Sequence, residues 1–413
     1  MLPPEIEAQL RKIGTADIVV GLPTYNNARS VGPVADAVKG GLVKYFPDAR
    51  AVVVNSDAGS TDDTPALVAD GDWPIPCVLA RHEAPPGDLV AIPFHGVPGR
   101  AAAQRAILEA ANRLGARACA IVGADCRSVT PEWIDRLVRP VLEHDVDYVA
   151  PLYQRQRYDG TLTNGLIYPL TRALFGRAIR QPLGDHAALS TRLVAYAAAQ
   201  EIHEPAVVRQ GLDLWLRAVL ASERFTACEA WLGPCALERS GRATDLATIF
   251  AQAIGATFAV IDYTADVWFD IRGAEPVPAV GPALPLGADP VELNRGGMIR
   301  AFRLGLKDLL PLWEQILSPD TLTEVLALEP GPEAFGFPHD LWARVVYDFA
   351  LGYHFRVLYR EHLLRSLVPL YLARTAAFVR ETVAGTAADA ERWIERGCRA
   401  FEQQKAYLVE RWH

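Results

Sequence analysis

The chain lacks the cysteine pairs and the hydrophobic runs that mark several common protein classes. Its six cysteines include no Cys-x-x-Cys pair, which argues against a zinc site and against a disulfide framework. No uninterrupted run of 18 apolar residues occurs, so we expect no membrane span. The first residues lack a basic region followed by an apolar one, unlike a signal peptide. We therefore expect a cytoplasmic protein with reduced thiols.

The chain also lacks an excess of positive charge. Its 413 residues carry a formal net charge of −8, from 41 basic and 49 acidic side chains. Nucleic-acid binding requires a basic face, so we expect no nucleic-acid partner. A single small nucleotide remains compatible with this charge, because it needs only local cations. The length exceeds one typical domain.

Short apolar runs alternate with segments of helical periodicity in the first 150 residues. Strands are predicted at 18–23, 51–55, 77–80, 118–122 and 148–153. Their order predicts an α/β fold, with a parallel sheet covered by helices on both faces. Five prolines and three glycines between Gly273 and Pro290 predict a linker or a surface arm, and the rest of the chain has a helical pattern. We predict domain limits of 1–272, 273–298 and 299–413, and the helical tail is compatible with a homodimer.

The second predicted strand runs into the acidic turn Asn55-Ser-Asp-Ala-Gly-Ser-Thr-Asp62. A unit of strand, turn and helix places a ligand at the carboxyl edge of an open sheet. Asp57, at the strand tip, could accept a hydrogen bond from the ring N–H of a uracil or a guanine. Asp57, Ser60 and Asp62 could instead only cap the helix that follows, and the local pattern leaves both alternatives open.

Several segments together resemble a known family. Pro23-Thr-Tyr-Asn-Asn27, the acidic turn, Pro98-Gly-Arg100 and Ala124-Asp125 are similar, in order and spacing, to the GT-A domain of family-two-type glycosyltransferases. Further segments resemble the narrower group of glucosyl-3-phosphoglycerate synthases and mannosylglycerate synthases, namely Tyr153-Gln-Arg155, Gly160-Thr-Leu-Thr163 and Gln181-Pro-Leu-Gly184. The resemblance implies a Rossmann-like nucleotide-diphospho-sugar transferase domain of the GT-A fold with a C-terminal all-α extension.

The resemblance implies a nucleoside-diphosphate sugar as the donor substrate. The donor-binding positions that it implies are Pro23, Thr24, Tyr25, Asn27, Asp57, Arg100, Ala124, Asp125, Leu183 and Gly184. Relatives carry a lysine where Arg100 stands, and arginine keeps that charge. The alternative is a solvated arginine that only opens a helix.

The chain departs from these relatives at the metal site. Relatives hold Mg²⁺ or Mn²⁺ through Asp-x-Asp, whereas Gly123-Ala-Asp125 keeps one acid. Leu237 stands at the position of a histidine, and His186 stands where an acid is expected. Three accounts stay open: weak metal binding through Asp125 and His186, metal-free catalysis, or lost catalysis. In the metal-free account arginines neutralise the diphosphate, the candidates being Arg100, Arg127 and Arg239.

For a small anionic acceptor such as glycerate, the resemblance implies the loop Gly160, Thr161, Leu162 and Thr163, and Arg155, Arg157 or Arg239 could supply the positive charge. Relatives that bind 3-phosphoglycerate often carry an arginine where Thr161 stands. Asp213 matches an acid that faces the acceptor, and Asp213 and Asp125 are the catalytic candidates. Asp213 could instead be a first-turn helix aspartate.

We therefore expect a retaining hexosyltransferase. It would move glucose or mannose from a nucleoside-diphosphate sugar to glycerate, 3-phosphoglycerate or a similar hydroxy acid, with reduced or no metal dependence. The resemblance implies no protein nucleophile, only positioning and charge stabilisation. The alternatives are a catalytically degenerate sugar-nucleotide-binding protein and an inverting family-two-type enzyme with another acceptor.

Overall fold

A computed structural model describes residues 2–70, 74–90, 93, 95–202, 205–238, 245–283, 293–328 and 334–413. This part of the chain divides into two compact units, and neither is continuous in sequence. The first comprises Met1–Gln154, Leu183–Ala243 and Val277–Pro285, and the second comprises Arg155–Pro182, Thr244–Pro276 and Leu286–His413, so far as these ranges are described. The domain limits predicted from the sequence cut the chain at other points and stay a prediction.

The first unit is built on a mixed sheet. Its strands are β1 (Ile18–Thr24), β2 (Ala51–Asp57), β3 (Cys77–Arg81), β4 (Ala118–Ile121), β5 (Tyr148–Gln154), β6 (Ala187–Ser190), β7 (Ala227–Pro234) and β8 (Ala279–Val280). In the described residues their order across the sheet is β3-β2-β1-β4-β6-β5-β7-β8. The predicted α/β class and the five strands predicted in the first 153 residues are confirmed.

The prediction of an all-parallel sheet is wrong at one strand. β6 runs antiparallel to both of its neighbours, β4 and β5, whereas the other pairs are parallel. β6 has only four residues, and its small apolar side chains show no periodicity from which a strand could be predicted. Because β6 is antiparallel, its first residue lies at the edge where its neighbour β4 ends.

Helices cover both faces of the sheet in the first unit and form most of the second. They are α1 (Pro4–Ile13), α2 (Val31–Tyr45), α3 (Thr64–Ala69), α4 (Pro86–Val90), α5 (Arg100–Arg113), α6 (Pro131–Glu143), α7 (Tyr168–Phe175), α8 (Thr191–Ala199), α9 (Pro205–Gln210), α10 (Asp213–Ser222), α11 (Leu246–Tyr263), α12 (Ala265–Trp268), α13 (Arg295–Asp308), α14 (Leu310–Ile316), α15 (Pro319–Leu326), α16 (His339–His354), α17 (Arg360–Thr382) and α18 (Ala387–Val409). A π-helical turn, Thr163–Ile167, precedes α7.

The core of the first unit follows from the period of its strands. All seven residues of β1 are buried, because the strand has helices on both sides. Ile18, Val20 and Leu22 share a core with apolar side chains of α2 and α6. On the opposite face, Gly21 lies against Ile107 of α5. The carboxyl ends of β1, β2 and β4 therefore open at one edge between these two helical layers.

The second unit contains the predicted C-terminal helices, α13 to α18. Its helix α11 is long and apolar enough to cross a membrane, judged by length and composition only. However, 56% of that stretch is buried inside the structure, as in a core helix, and it packs on α16 and α17. Within the described part of the predicted linker, β8 pairs with β7 in the sheet, and residues 284–292 of that linker lie outside the described residues.

The close contact between β1 and α5 predicts a steep cost for one added methyl group. In Gly21→Ala the new Cβ would lie closer than 3.0 Å to three atoms of Ile107. We expect the free energy of unfolding in urea to fall by about 1–3 kcal/mol, the usual cost of overpacking. The matched control is Gly32→Ala on α2, where nothing lies within 4 Å of the added atom. Equal effects of the two substitutions would contradict this packing.

Candidate functional site

Two loops at the carboxyl edge of the sheet are joined by hydrogen bonds. The loop after β1 donates from the Asn26 backbone N–H to Ser60 Oγ (2.8 Å) and from the Asn27 N–H to Thr64 Oγ1 (2.7 Å). The acidic turn after β2 donates in return, from the Thr61 N–H to Asn26 Oδ1 (2.9 Å). Asn26 has a positive φ of 52°, a conformation that asparagine tolerates better than most residues. The predicted nucleoside-binding loops thus form one connected platform.

Asp57 uses both of its carboxylate oxygens inside this platform. Oδ1 accepts from Thr24 Oγ1 (2.9 Å) and Ser60 Oγ (2.5 Å), and Oδ2 accepts from the N–H groups of Gly59 (2.8 Å) and Ser60 (2.7 Å). Asp57 is also only 4% exposed. In this geometry Asp57 fastens β1 to the turn after β2, and none of these four hydrogen bonds comes from α3, the helix that the capping alternative concerned. A base could use Asp57 only if one of these bonds opened, and its role as a base acceptor stays a prediction.

Arg100 is the centre of a buried charge cluster. Its Nη1 lies 2.5 Å from Asp185 Oδ1, and its Nη2 lies 2.9 Å from Asp213 Oδ2. Nη2 also donates to the Gly184 carbonyl oxygen at 2.9 Å. The alternative of a solvated arginine is therefore wrong, since Arg100 is 6% exposed.

Three elements bring the members of this cluster together. Arg100 is the first residue of α5, Asp185 lies in the turn before β6, and Asp213 begins α10. Gly99 permits this start of α5, because its φ is 62° and a Cβ there would lie 2.6 Å from the Glu83 carbonyl oxygen. Asp213 lies in the first turn of α10, as one of the two alternatives predicted, but its carboxylate forms an ion pair with Arg100.

The carboxylates of the cluster differ in their ionisation. Burial, with the negative charge of Asp185 added to it, raises the pKa of Asp125 to about 7. Burial likewise raises the pKa of Asp213, against the charge of Arg100. For Asp185, burial is the largest effect and opposes ionisation, but the charges of Arg100 and of nearby histidines outweigh it and lower the pKa. Asp185 is thus the firm counterion of Arg100, whereas Asp125 exchanges a proton near neutral pH.

His186 is buried against aromatic side chains, and its role as a metal ligand stays a prediction. Its Nδ1 lies 2.6 Å from the hydroxyl oxygen of Tyr153, and its ring meets Trp133 edge to face at 5.0 Å. His186 is 1% exposed and its Nε2 is buried without a hydrogen-bond partner among the described residues. This arrangement matches a buried histidine packed under the sheet edge.

A cavity joins several of the predicted donor-binding positions. It is narrow: a water-sized molecule can occupy about 20 Å³ of it, and part of it opens to solvent. Its lining comes from segments far apart in the sequence, namely Pro23, Asn27, His95, Val97, Arg100, Gly123, Ala124, Asp125 and Asp185. Thr24 lies behind this lining, bonded to Asp57, and the Tyr25 N–H donates to Asn27 Oδ1 at 2.8 Å. Leu183 is half-buried in the turn whose Gly184 carbonyl receives Arg100.

The predicted acceptor residues lie in the second unit. Gly160, Thr161, Leu162 and Thr163 are half-buried, and Thr161 Oγ1 is 2.7 Å from the hydroxyl oxygen of Tyr371 on α17. Thr161 also lines a small cavity, of which a water-sized molecule can occupy about 10 Å³, and Asn164, Arg374 and Trp393 line it as well. Arg239 lies outside the described residues.

Arg374 is a site residue that the sequence analysis missed. It is 3% exposed, and no carboxylate of the described residues lies within 4.0 Å of its guanidinium. It donates to the Phe337 carbonyl oxygen at 2.5 Å and to His339 Nδ1, and it lies over the Trp393 ring. Burial lowers its pKa to about 9. An arginine inside a helical pattern carries no signal of such burial.

Asp185 and His95 were also missed. Asp185 stands directly after the Gln181–Gly184 segment, so its acidic side chain was a usable sequence signal. The resemblance, however, indicated His186 as the position of the expected acid. His95 lines the same cavity as Arg100, and burial lowers its pKa to about 3, with the charge of Arg100 adding to the effect. A histidine in an irregular segment gave no comparable signal.

The donor set does not fit a firmly bound divalent metal. In the described residues, no group of three or more His, Cys, Asp or Glu side chains is arranged to hold one. Asp125 resists ionisation, and Leu237 pairs with Cys126 in an isolated antiparallel bridge directly after Asp125. Leu237 thus reaches the neighbourhood where relatives place a histidine, but it brings no ligand atom. Mg²⁺ and Mn²⁺ require several oxygen or nitrogen ligands.

Comparison with known proteins gave matches to solved structures. No protein-family model and no curated protein matches the chain. Glucosyl-3-phosphoglycerate synthase from Mycobacterium tuberculosis, in complex with phosphoglyceric acid, is 21% identical with a TM-score of 0.45, and the match covers 64% of this chain and 86% of that chain. The same values hold for its complex with Mn²⁺, uridine diphosphate and glucosyl-3-phosphoglycerate. Its complex with Mg²⁺ and uridine diphosphate is 22% identical with a TM-score of 0.44, over 63% of this chain and 83% of that chain.

The predicted resemblance is thereby confirmed as a likeness, since these synthases are the group named from the motifs. A TM-score below 0.5 at this identity assigns no activity and no ligand to the chain.

The buried cluster predicts unequal costs for two arginines on the same helix. Arg100→Met would leave two carboxylates without their cation, and we expect the free energy of unfolding in urea to fall by roughly 3 kcal/mol. The matched control is Arg113→Met at the other end of α5, where the side chain is 60% exposed and pairs with Glu7 at 2.8 Å. That loss should be below about 1 kcal/mol. A smaller effect at Arg100 than at Arg113 would contradict the cluster.

Proposed function

We propose that the chain is a retaining hexosyltransferase that moves glucose or mannose from a nucleoside-diphosphate sugar to a small hydroxy acid such as glycerate or 3-phosphoglycerate. The observation that supports it is the meeting of the predicted motif segments around one cavity. Pro23, Arg100, Ala124 and Asp125 were named from separate motifs, and all line that cavity at the carboxyl edge of the sheet. Cytoplasmic location and a homodimer belong to the same proposal.

In this proposal the chain contributes to the reaction by positioning the substrates more than by neutralising their charge. The connected loops after β1 and β2 would hold the nucleoside, and Ala124 and Asp125 would lie beside the diphosphate and hexose. Asp213 acts through Arg100, because its carboxylate is 4% exposed and ion-paired there. We therefore assign Asp213 as a positioning residue, and Asp125 remains the candidate for direct contact. The metal site of relatives does not fit these residues, because Asp125 is the one carboxylate kept from the Asp-x-Asp motif and Leu237 offers no ligand atom.

For the acceptor, we propose that Arg374 supplies the cation that relatives carry at the position of Thr161. Both residues line one cavity of the second unit, and Arg374 has no carboxylate partner among the described residues. A buried charge without a counterion is costly, so a bound carboxylate or phosphate would relieve that cost. Thr161 would add a hydroxyl group at the same cavity.

A second candidate function is a sugar-nucleotide-binding protein without turnover. It is favoured by the ion pairs of Arg100 with Asp185 and Asp213, which already neutralise the charge of this arginine. It is favoured also by the raised pKa of Asp125 and by the leucine at position 237. Donor binding without product would separate this candidate from the transferase.

The first test is a substrate panel with and without metal. UDP- and GDP-linked glucose and mannose are each mixed with glycerate or 3-phosphoglycerate, in Mg²⁺, Mn²⁺ or EDTA, and the product and its anomer are analysed. We expect a retained-anomer product, with the EDTA rate within about tenfold of the Mn²⁺ rate. Complete loss in EDTA would overturn the metal-free part, and an inverted anomer would favour the inverting alternative. Absence of both product and donor binding would overturn the proposal.

A second test restores the missing ligand. Leu237 is 50% exposed, so Leu237→His should be tolerated, and we expect Mn²⁺ to bind about tenfold more tightly than to the parent chain. The readout is Mn²⁺ binding by calorimetry, which needs no activity. The matched control is Leu237→Gln, which adds polarity and similar bulk without an imidazole. Equal Mn²⁺ affinity in the two variants would contradict the position assigned to residue 237.

A further inference from the structure

Two cysteines far apart in the sequence meet beside the candidate site. Cys126 directly follows Asp125, and Cys235 directly follows the last residue of β7. Their sulfur atoms are 3.3 Å apart, although 109 positions separate them. This distance is shorter than the usual van der Waals contact between two sulfur atoms that are not hydrogen-bonded to each other.

The backbone holds the two cysteines together. Cys126 and Leu237 form an isolated antiparallel bridge. On one side of it the Arg127 N–H donates to the Ala236 carbonyl oxygen at 2.8 Å, and on the other the Glu238 N–H donates to the Asp125 carbonyl oxygen at 2.7 Å. Main-chain pairing therefore holds the segment of Cys126 against the residues that directly follow Cys235.

We propose that Cys126 and Cys235 form a site of reversible disulfide formation. A disulfide bond is about 2.05 Å long, so the sulfurs need to approach by little more than about 1 Å, which side-chain rotation supplies. Cys126 is buried and Cys235 is half-buried, so a reagent reaches the pair through Cys235. Cys119, Cys228 and Cys398 are buried, and Cys77 is the other half-buried cysteine.

The chemistry balances with a small disulfide, such as oxidised glutathione, as the oxidant. The Cys235 thiolate attacks one sulfur of the oxidant, forms a mixed disulfide and releases one reduced thiol. Cys126 then attacks Sγ of Cys235, closes the protein disulfide and releases the second reduced thiol. The two cysteines lose two electrons and two protons, and the oxidant gains them.

The bond would add a covalent link next to Asp125. Segment 235–238 would then be tied to segment 125–127 by a disulfide as well as by main-chain hydrogen bonds. The oxidised and reduced chains thus differ at the residue that the proposed function places nearest the diphosphate. The disulfide itself rests on the sulfur geometry and on no assumption about activity.

The experiment is a redox titration of the full chain. The reduced protein is equilibrated with graded ratios of reduced and oxidised glutathione, quenched with an alkylating reagent, digested and analysed by mass spectrometry. We expect the free thiols to fall from six to four, a peptide pair that links Cys126 to Cys235, and recovery of six thiols on reduction. Six free thiols at every ratio would overturn the proposal, and so would a linked pair that includes Cys77.

Two variants sharpen the test. Cys235→Ser changes a half-buried residue and should retain five free thiols at every ratio, with no linked peptide. The matched control is Cys77→Ser, which removes the other half-buried cysteine and should still lose two thiols. If Cys235→Ser forms as much intramolecular disulfide as the parent chain, the assignment to this pair is overturned. Thiol counts are independent of turnover, so failure of the proposed function would leave this result unaffected.

Discussion

The buried guanidinium of Arg100, held between Asp185 and Asp213, is the interaction on which the site depends. It joins the start of α5, the turn before β6 and the start of α10. A buried charge must be paired, and removal of one partner is costly. The ion pairs therefore stabilise the meeting of these three segments, and two of their members, Arg100 and Asp185, line the cavity.

This pairing also limits what the site can do. The charge of Arg100 is neutralised by carboxylates of the protein itself, and Asp125 resists ionisation. The donor diphosphate would therefore find little unpaired positive charge in this part of the described structure. Leu237 adds no metal ligand beside Asp125. The difference between a transferase and a binding protein thus depends on a few positions around one carboxyl group. In the second unit Arg374 has the opposite character, a buried cation with no carboxylate beside it in the described part of the chain.

The outcome of the sequence analysis differed between elements for physical reasons. β1, β2 and β4 were predictable because β-branched and apolar runs end at turn residues. β6 was missed, since four small apolar residues have no useful period. The burial of Arg100 could not be predicted, because a charged residue at the first position of a helix is usually exposed. Asp57 stayed ambiguous, since the same acidic turn serves capping and ligand binding equally well, and the four hydrogen bonds of its carboxylate join the turn to β1, a role that the local pattern does not predict.

The last strand of the sheet has a consequence for assembly. β8 contributes only two residues to the edge beyond β7, so it offers few unpaired main-chain groups to a strand from another molecule. Joining two copies edge to edge through β8, or templating of fibrils along it, is thereby disfavoured. Self-association at this end of the sheet would therefore have to come from side-chain surfaces, whereas β3, at the opposite edge, has five residues.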